Sequence, residues 1–282
     1  MKGEIGHGAF STVYRGRYHG FDVAIKMLNA KTVSVLEKNV AKEATILLRL
    51  NHPNIVKFMG ISIQDNQFAI VTEYLSRGSL RQLLLDTTIL LEDEHKRKFA
   101  LDVCKGMSYL HSEKVIHRDL KCSNLLVDKD WTVKVADFGL SREGSDIDVT
   151  MTMTACGTPA WAAPEVLKTQ RYSEKADIYS FSICFWEMCT RQVPYEGIPP
   201  YQIVISVATQ GRRPDLQSND FPAPFEEIIK KCWDEEPAAR PDFGELVTRF
   251  TTMVVPLPDH ETPFIMKREY SAVSPNVSAS YI

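Results

Sequence analysis

Ten residues near the middle of the chain, Val115–Asn124, read VIHRDLKCSN. They set a histidine, an arginine, an aspartate, a lysine and an asparagine between the apolar runs Val115–Ile116 and Leu125–Val127. Asp119 is suited to accept or orient the proton of an attacking hydroxyl. Lys121, two residues on, can offset charge on a transferring phosphoryl group. Asn124 offers an amide oxygen, and Asp137 in the later ADFGL run offers a carboxylate. Together they are hard oxygen ligands of the kind Mg2+ takes. Arg118 carries a planar fork that matches a phosphate. A solvated turn of mixed charge would hold the same residues, but the flanking apolar runs fix this loop rigidly beside a core.

Two stretches nearer the N-terminus suit the same chemistry. GHGAFSTV supplies Gly6 and Gly8, with Ser11 where a third glycine could stand. Glycines let backbone N–H groups come close to a phosphate. A dinucleotide fold requires a helix directly after such glycines. Here a strand follows, so a glycine-rich hairpin over phosphates fits better, although an ordinary turn has the same composition. VAIK ends in Lys26. Taken alone, such a lysine more often snorkels to solvent. Buried, it needs an anionic partner. Glu43 is the natural one, since it shares a helix face with Leu47 four residues on.

The elements that must position these groups fall into two parts. STVYRGRY and FDVAIKML alternate, are rich in β-branched and aromatic residues, and are joined by His19–Gly20. The spacing predicts a helix in SVLEKNVAKEATILLRL, broken by HPNIV, and a strand in QFAIVTEYL. From about Leu80 onward helices dominate. EDEHKRKFALDVCKGMSYLHSE is amphipathic. SEKADIYSFSICFWEMCT is apolar almost all round and predicts a helix buried at the centre of its lobe. PFEEIIKKCWDEE and DFGELVTRFTTMV read as later helices, and NLLV and TVKVADF as short strands. The stretch from about Val255, with Pro256, Pro258, Pro263 and Pro275, reads as poorly ordered.

Composition narrows the function classes. A formal charge of −3 over 282 residues gives no reason to expect nucleic acid or an anionic membrane. No apolar run is long enough for a membrane span, and the first residues, MKGEIGHGAF, lack a signal core. None of the six cysteines forms a C-x-x-C pair. Four lie in apolar or helix-like contexts, while Cys122 and Cys156 lie in loop-like ones. Free thiols in a reducing compartment explain them, and a cytoplasmic location is expected.

The set GHGAFSTV, VAIK, Glu43, HRDLKCSN, DFG, AAPE, DIYSF and ARPDF, in that order from about Ile5 to Phe250, resembles the eukaryotic protein kinases. Lys121 within HRDLKCSN, GTPAWAAPE with Thr158 and Trp161, and DIYSFSICFWEM are similar to the tyrosine-kinase-like group, which includes the Raf and mixed-lineage kinases and is largely serine/threonine-specific. The resemblance implies an α+β bilobal fold: a small antiparallel β N-lobe with one regulatory helix, and a larger, mainly helical C-lobe. It implies a catalytic domain over 1–253, with lobes 1–75 and 76–253, and a flexible tail over 254–282.

Its function would be transfer of the γ-phosphoryl of ATP, with Mg2+, to Ser/Thr hydroxyls of proteins. Lys26 would hold the α- and β-phosphates and pair with Glu43, Asp119 would be the catalytic base assisted by Lys121, and Asn124 and Asp137 would hold Mg2+. Ile5, Gly6 and Gly8 would cover the nucleotide. Val13, Ala24 and Leu126 would sandwich the adenine, with Thr72 as gatekeeper before the hinge Glu73, Tyr74 and Leu75. Leu47, Phe58, His117 and Phe138 would stack between the lobes over Asp177, which makes His117 a packing residue. Glu165 would pair with Arg240. Thr158 would bridge Asp119 and Lys121. Phosphorylation at Thr152 or Thr154, with Thr150 the weaker candidate, answered by Arg118, would raise activity, delivered by an upstream kinase or by autophosphorylation in trans. Ala162 stands where the group usually has methionine, and Ile5 follows an unusually short lead. Two other readings use the same residues: a catalytically silent scaffold, which the full set Lys26, Glu43, Asp119, Asn124 and Asp137 disfavours, and a docking module. Turnover of Mg-ATP separates them.

Overall fold

The computed structural model describes residues 3–8, 11–28, 43–64, 67–139, 141–143, 159–216 and 222–255. Thr150, Thr152, Thr154, Cys156, Thr158 and almost all of the expected tail lie outside the described residues, as does the first half of the expected N-terminal helix.

Alternation and a tight turn build the first lobe. Strands β1 (Gly3–Gly8), β2 (Ser11–Tyr18), β3 (Phe21–Leu28), β4 (Phe58–Gln64) and β5 (Gln67–Glu73) form one antiparallel sheet in the order β1-β2-β3-β5-β4. The β2–β3 turn has His19 at φ 47° and Gly20 at φ 86°. Positive φ at both central residues is the turn whose twist matches a two-residue hairpin. Its register sets Val13 opposite Lys26, and the next pairing sets Ala24 opposite Thr72. Helix α1 is described over residues 43–49, and its Glu43, Ala44, Ile46 and Leu47 are buried.

The second lobe is helical. Helices α2 (Leu80–Leu85), α3 (Asp93–Ser112), α4 (Pro164–Leu167), α5 (Lys175–Thr190), α6 (Pro200–Gln210), α7 (Ala223–Cys232) and α8 (Phe243–Thr252) carry most of it. From Ala176 to Cys189 every residue of α5 is buried, as its composition predicts. Phe181 and Phe185 on α5 pack edge-on against Phe250 on α8, and Phe185 also against Phe225 on α7. Glu165 and Arg240 form a buried two-point ion pair at 2.7 and 2.9 Å, tying α4 to the turn before α8.

Four short strands lie beside α3: β6 (Val115–Ile116) pairs with β9 (Arg142–Glu143), and β7 (Leu125–Val127) with β8 (Val133–Val135). The loop Arg118–Asn124 is therefore strung between β6 and β7, and Asp137 follows β8. Helix α3 approaches this layer at Gly106, where a Cβ would stand 2.6 Å from the Asn54 carbonyl oxygen.

Several elements depart from the expectations. Strand β5 stops at Glu73, short of Tyr74 and Leu75. β4, α2, α4 and α6 had no counterpart in the sequence reading. Cys122 sits in a loop, as expected, but is fully buried because its short 3-10 turn packs under α2 and beside α5. The other described cysteines, Cys104, Cys184, Cys189 and Cys232, are buried and free.

Candidate active site

The loop after β6 is shaped by one carboxylate beneath it. Asp177, in the first turn of α5 and fully buried, accepts from the backbone N–H of His117 and of Arg118, each at 2.9 Å. His111 Nε2, at the end of α3, donates to it at 2.9 Å. Burial alone raises a carboxyl group, but the donors from His111, His117 and Arg118 outweigh it, and Asp177 lies below the ordinary carboxylate range. These bonds hold Arg118 at φ 70°, a left-handed conformation uncommon outside glycine. That reversal turns Asp119 out of the core. His117 is fully buried, with Nε2 against the Ala136 carbonyl at 3.0 Å and Nδ1 accepting from Asp119 N at 3.3 Å. Both ring nitrogens are spent, so His117 has no site left to pass a proton.

The Asp119 carboxylate is clamped from two sides. Its Oδ2 lies 3.0 Å from Lys121 Nζ and accepts from Asn124 Nδ2 at 2.9 Å. Asn124 Nδ2 also donates to the Asp119 carbonyl at 2.8 Å. With the amide nitrogen used this way, the Asn124 Oδ1 atom is the side-chain atom left to serve as a ligand.

The second constellation joins the lobes. Lys26 Nζ donates to Glu43 Oε1 and Oε2 at 2.9 and 3.1 Å and to Asp137 Oδ1 at 2.7 Å. The buried lysine therefore has its anionic partners and does not snorkel. Burial alone would lower the Lys26 ammonium, but the Asp137 and Glu43 carboxylates reverse this and hold it above its usual value. Burial raises Glu43, and Lys26 offsets only part of that. Burial also pushes on Asp137, but Lys26 overrides it and the carboxyl lies below its ordinary value. Asp137 sits at φ 64°. Phe138 packs its ring edge-on to His117, centroids 5.4 Å apart. A Cβ on Gly139 would lie 3.4 Å from both Asp137 Oδ1 and Glu43 Oε2, at ordinary contact distance, so Gly139 borders the three charged groups directly.

Strand register places some of the residues expected around the adenine beside one another. Gly6 faces Val13 across β1–β2, Ile5 and Gly8 lie on the same edge strand, and Ala24 lies beside Thr72. Leu126 sits on β7, bridged to Ser79, while Leu75 is buried just past β5. The Glu73 side chain has a different task from cofactor contact. It accepts from Lys134 Nζ at 2.8 and 2.9 Å and from the Lys57 N–H at 2.8 Å, pinning the end of β5 to β8 of the other lobe. Lys134 and His111 were not singled out from the sequence. Neither lies in a motif, and each acts through a residue 61 or 66 positions away.

The donor set fits the groups expected of it. Asn124 Oδ1 and the Asp137 carboxylate are the hard oxygens a Mg2+ ion takes. Lys26, with two carboxylates already balancing it, is a cation at the foot of the glycine hairpin.

A family model described as protein tyrosine and serine/threonine kinase matches residues 1–250. The probable serine/threonine-protein kinase drkC of Dictyostelium discoideum is 45% identical over 259 residues, covering 90% of this chain and 34% of that protein. The probable serine/threonine-protein kinase drkA of the same organism is 42% identical, covering 88% of this chain and 39% of that protein. The serine/threonine-protein kinase CTR1 of Arabidopsis thaliana is 44% identical over 252 residues, covering 88% of this chain and 30% of that protein. The chain thus spans about a third of the length of these relatives. With the two lobes, the clamped aspartate and the lysine–glutamate pair described above, the chain belongs to the protein tyrosine and serine/threonine kinase family.

Proposed function

We propose that this chain transfers the γ-phosphoryl group of Mg-ATP to serine and threonine hydroxyls of proteins, within a catalytic domain spanning 1–253. The observation that carries the reading is the Asp119 carboxylate, turned out by the Arg118 reversal and held by Lys121 and Asn124. In the reaction the substrate hydroxyl oxygen bonds to the γ-phosphorus, the bond from that phosphorus to the β–γ bridging oxygen breaks, and the hydroxyl proton passes to Asp119. Lys121, 3.0 Å from that carboxylate, is placed to meet the transferring oxygens. Lys26 moves from Asp137 to the α- and β-phosphates while keeping Glu43, which leaves Asp137 and Asn124 to hold Mg2+. The ion, when bound, neutralises phosphate charge.

Ile5, Gly6, Gly8, Val13, Ala24, Thr72, Leu75 and Leu126 line the nucleotide site, with the backbone of Glu73 rather than its side chain facing the base. The partners are ATP, protein substrates and an activating kinase or a second copy acting in trans. No helix among the described residues is long and apolar enough to cross a membrane, which is compatible with a cytoplasmic place of action. The test is radiolabelled ATP offered with a degenerate peptide library. Phosphoserine and phosphothreonine should dominate the product. A pool dominated by phosphotyrosine, or no transfer at all, overturns the reading.

A further inference from the structure

Arg15 stands on β2 two residues past Val13, so by the alternation of a strand it shares the face of Val13. Its partner across the sheet is Ala24, one of the residues expected over the adenine. Its guanidinium lies over the ring of Tyr74, 4.5 Å from the centroid. Asp22, on the neighbouring strand β3, accepts from Arg15 Nη2 at 2.5 Å and fixes the fork in that place. A planar cation held over a ring face is the arrangement in which arginine binds an aromatic side chain.

Tyr74 sits in the segment that joins the lobes. Just before it, Glu73 accepts from Lys134 of the second lobe at 2.8 and 2.9 Å. Three residues after it, Arg77 donates from Nε and Nη2 to the Lys129 carbonyl at 3.3 and 3.1 Å and lies over the Trp131 ring, 3.9 Å from its centroid. Those ties run to the second lobe. Arg15 ties the same segment to β2, the strand that continues from the glycine hairpin. Two cation–ring contacts thus grip the connecting segment, one from each lobe.

A cation on this face could instead meet the phosphates. Register speaks against that, because Val13 is the residue opposite Lys26 and Arg15 lies two residues farther along β2, opposite Ala24. Arg15 is at the base end of the site. We propose that Arg15 is a positioning residue for the nucleotide: stacked on Tyr74, it holds β2, and with it the glycine hairpin, at a set distance over the hinge backbone that faces the base. This rests on the nucleotide site proposed above. Without the contact, hairpin and hinge must be ordered against each other when the nucleotide binds, and that lowers affinity. The effect falls on the adenosine half of the ligand and leaves the protein acceptor untouched.

The test compares Arg15→Met, Tyr74→Leu and their double variant by displacement of a fluorescent ADP analogue, which needs no phosphoryl transfer. R15M should weaken ATP about fivefold, the scale of one partly desolvated cation–ring contact, and should weaken adenosine by the same factor. Y74L should do likewise, and the double variant should be no weaker than the worse single one. Arg17→Met, which removes an exposed charge from the same strand, should leave both affinities within twofold. In turnover with casein as acceptor, the KM for ATP should follow the affinity and the KM for casein should stay within twofold.

Hydrogen–deuterium exchange gives a readout independent of the ligand. In nucleotide-free R15M the amides of residues 74–76 should exchange faster, while those of α5 keep their protection. Additive losses in the double variant, a loss for ATP without one for adenosine, an equal loss in R17M, or unchanged exchange at 74–76 each overturn the proposal. A wild-type chain that binds neither ATP nor adenosine overturns the nucleotide site instead, and exchange at 74–76 still decides whether Arg15 restrains the hinge.

Discussion

Replacing Asp177 by asparagine keeps the side-chain volume and removes one acceptor from a site that needs two. Oδ2 takes His111 and the His117 N–H, and Oδ1 takes the Arg118 N–H. The amide oxygen will settle on the side with two donors, and its NH2 group then faces the Arg118 N–H. A buried donor left unanswered costs about 1–3 kcal/mol. At about 2 kcal/mol the melting temperature of a domain this size falls by roughly 4–8 °C. The loss falls on Arg118, whose left-handed backbone costs roughly 1–2 kcal/mol and is offset by this bond. Freed from it, Arg118 relaxes toward negative φ and carries Asp119 with it, so kcat should drop at least tenfold at temperatures where the variant is still folded.

The same carboxylate gives a pH signature. Its folded value lies below the unfolded one of about 3.9. Its contribution is therefore complete above about pH 4 and is lost as pH falls further, through the folded value. The gap in stability between wild type and D177N should be constant near neutrality and shrink below about pH 4. Urea unfolding from pH 3 to pH 8, with turnover at 20 °C, measures both effects. A variant with an unchanged midpoint and kcat within twofold of wild type would refute the account of how the loop is held.

Asp119→Asn should cut kcat by about 10²–10⁴-fold with ATP affinity intact, because the amide oxygen will turn to Lys121 and Asn124 and present NH2 to the substrate hydroxyl; a loss under tenfold counts against the base. Asp137→Asn should be partly rescued by raising Mg2+, and D119N should not; equal rescue would show that the two acids share one role. Thr72→Met should exclude inhibitors that carry an aryl group behind the adenine site while ATP still binds, and equal affinity for both forms would misplace Thr72. Gly106→Ala drives a methyl to 2.6 Å from the Asn54 backbone carbonyl, an overpacking that costs about 1–3 kcal/mol; unchanged thermal stability would mean that α3 and the Asn54 loop are not in the contact described.

The boundaries of β2 and β3 were legible because alternation and a two-residue turn act together there, and both strands begin and end where the pattern does. β4 was not legible. Its register shifts between Phe58 and Gly60, and the alternating residues Ile61 and Ile63 stand exposed on the outer strand, so the period-2 pattern there does not mark a buried face. α6 misleads differently, since Ile203, Val204, Ile205 and Val207 are strand formers by local preference. Pro200 in its first turn and Gly211 in the left-handed conformation after its end were the signals that it is a helix. α2 is only six residues long, too short to show a period.

The same division runs through the site. Residues that act where they stand in a motif, such as Lys26 and Glu43 or Asp119 and Asn124, were found from type and spacing, and they meet at hydrogen-bond distance. Residues that act by holding another were not. Lys134 secures Glu73, His111 secures Asp177, and Arg191 donates to the carbonyls of Leu84, Asp86 and Ile89 to close the end of α2. Each is an ordinary charged or aromatic residue by local composition, and its partner lies between 61 and 107 positions away. Glu187 belongs to this group. In the sequence it is one acid in an apolar helix, and only the fold shows that Arg81 and Trp161, from two separate segments, converge on it. Supporting residues of this kind need only be the right charge at the right place in space. Several positions along the chain could have supplied each of them, so spacing alone does not mark the one that did.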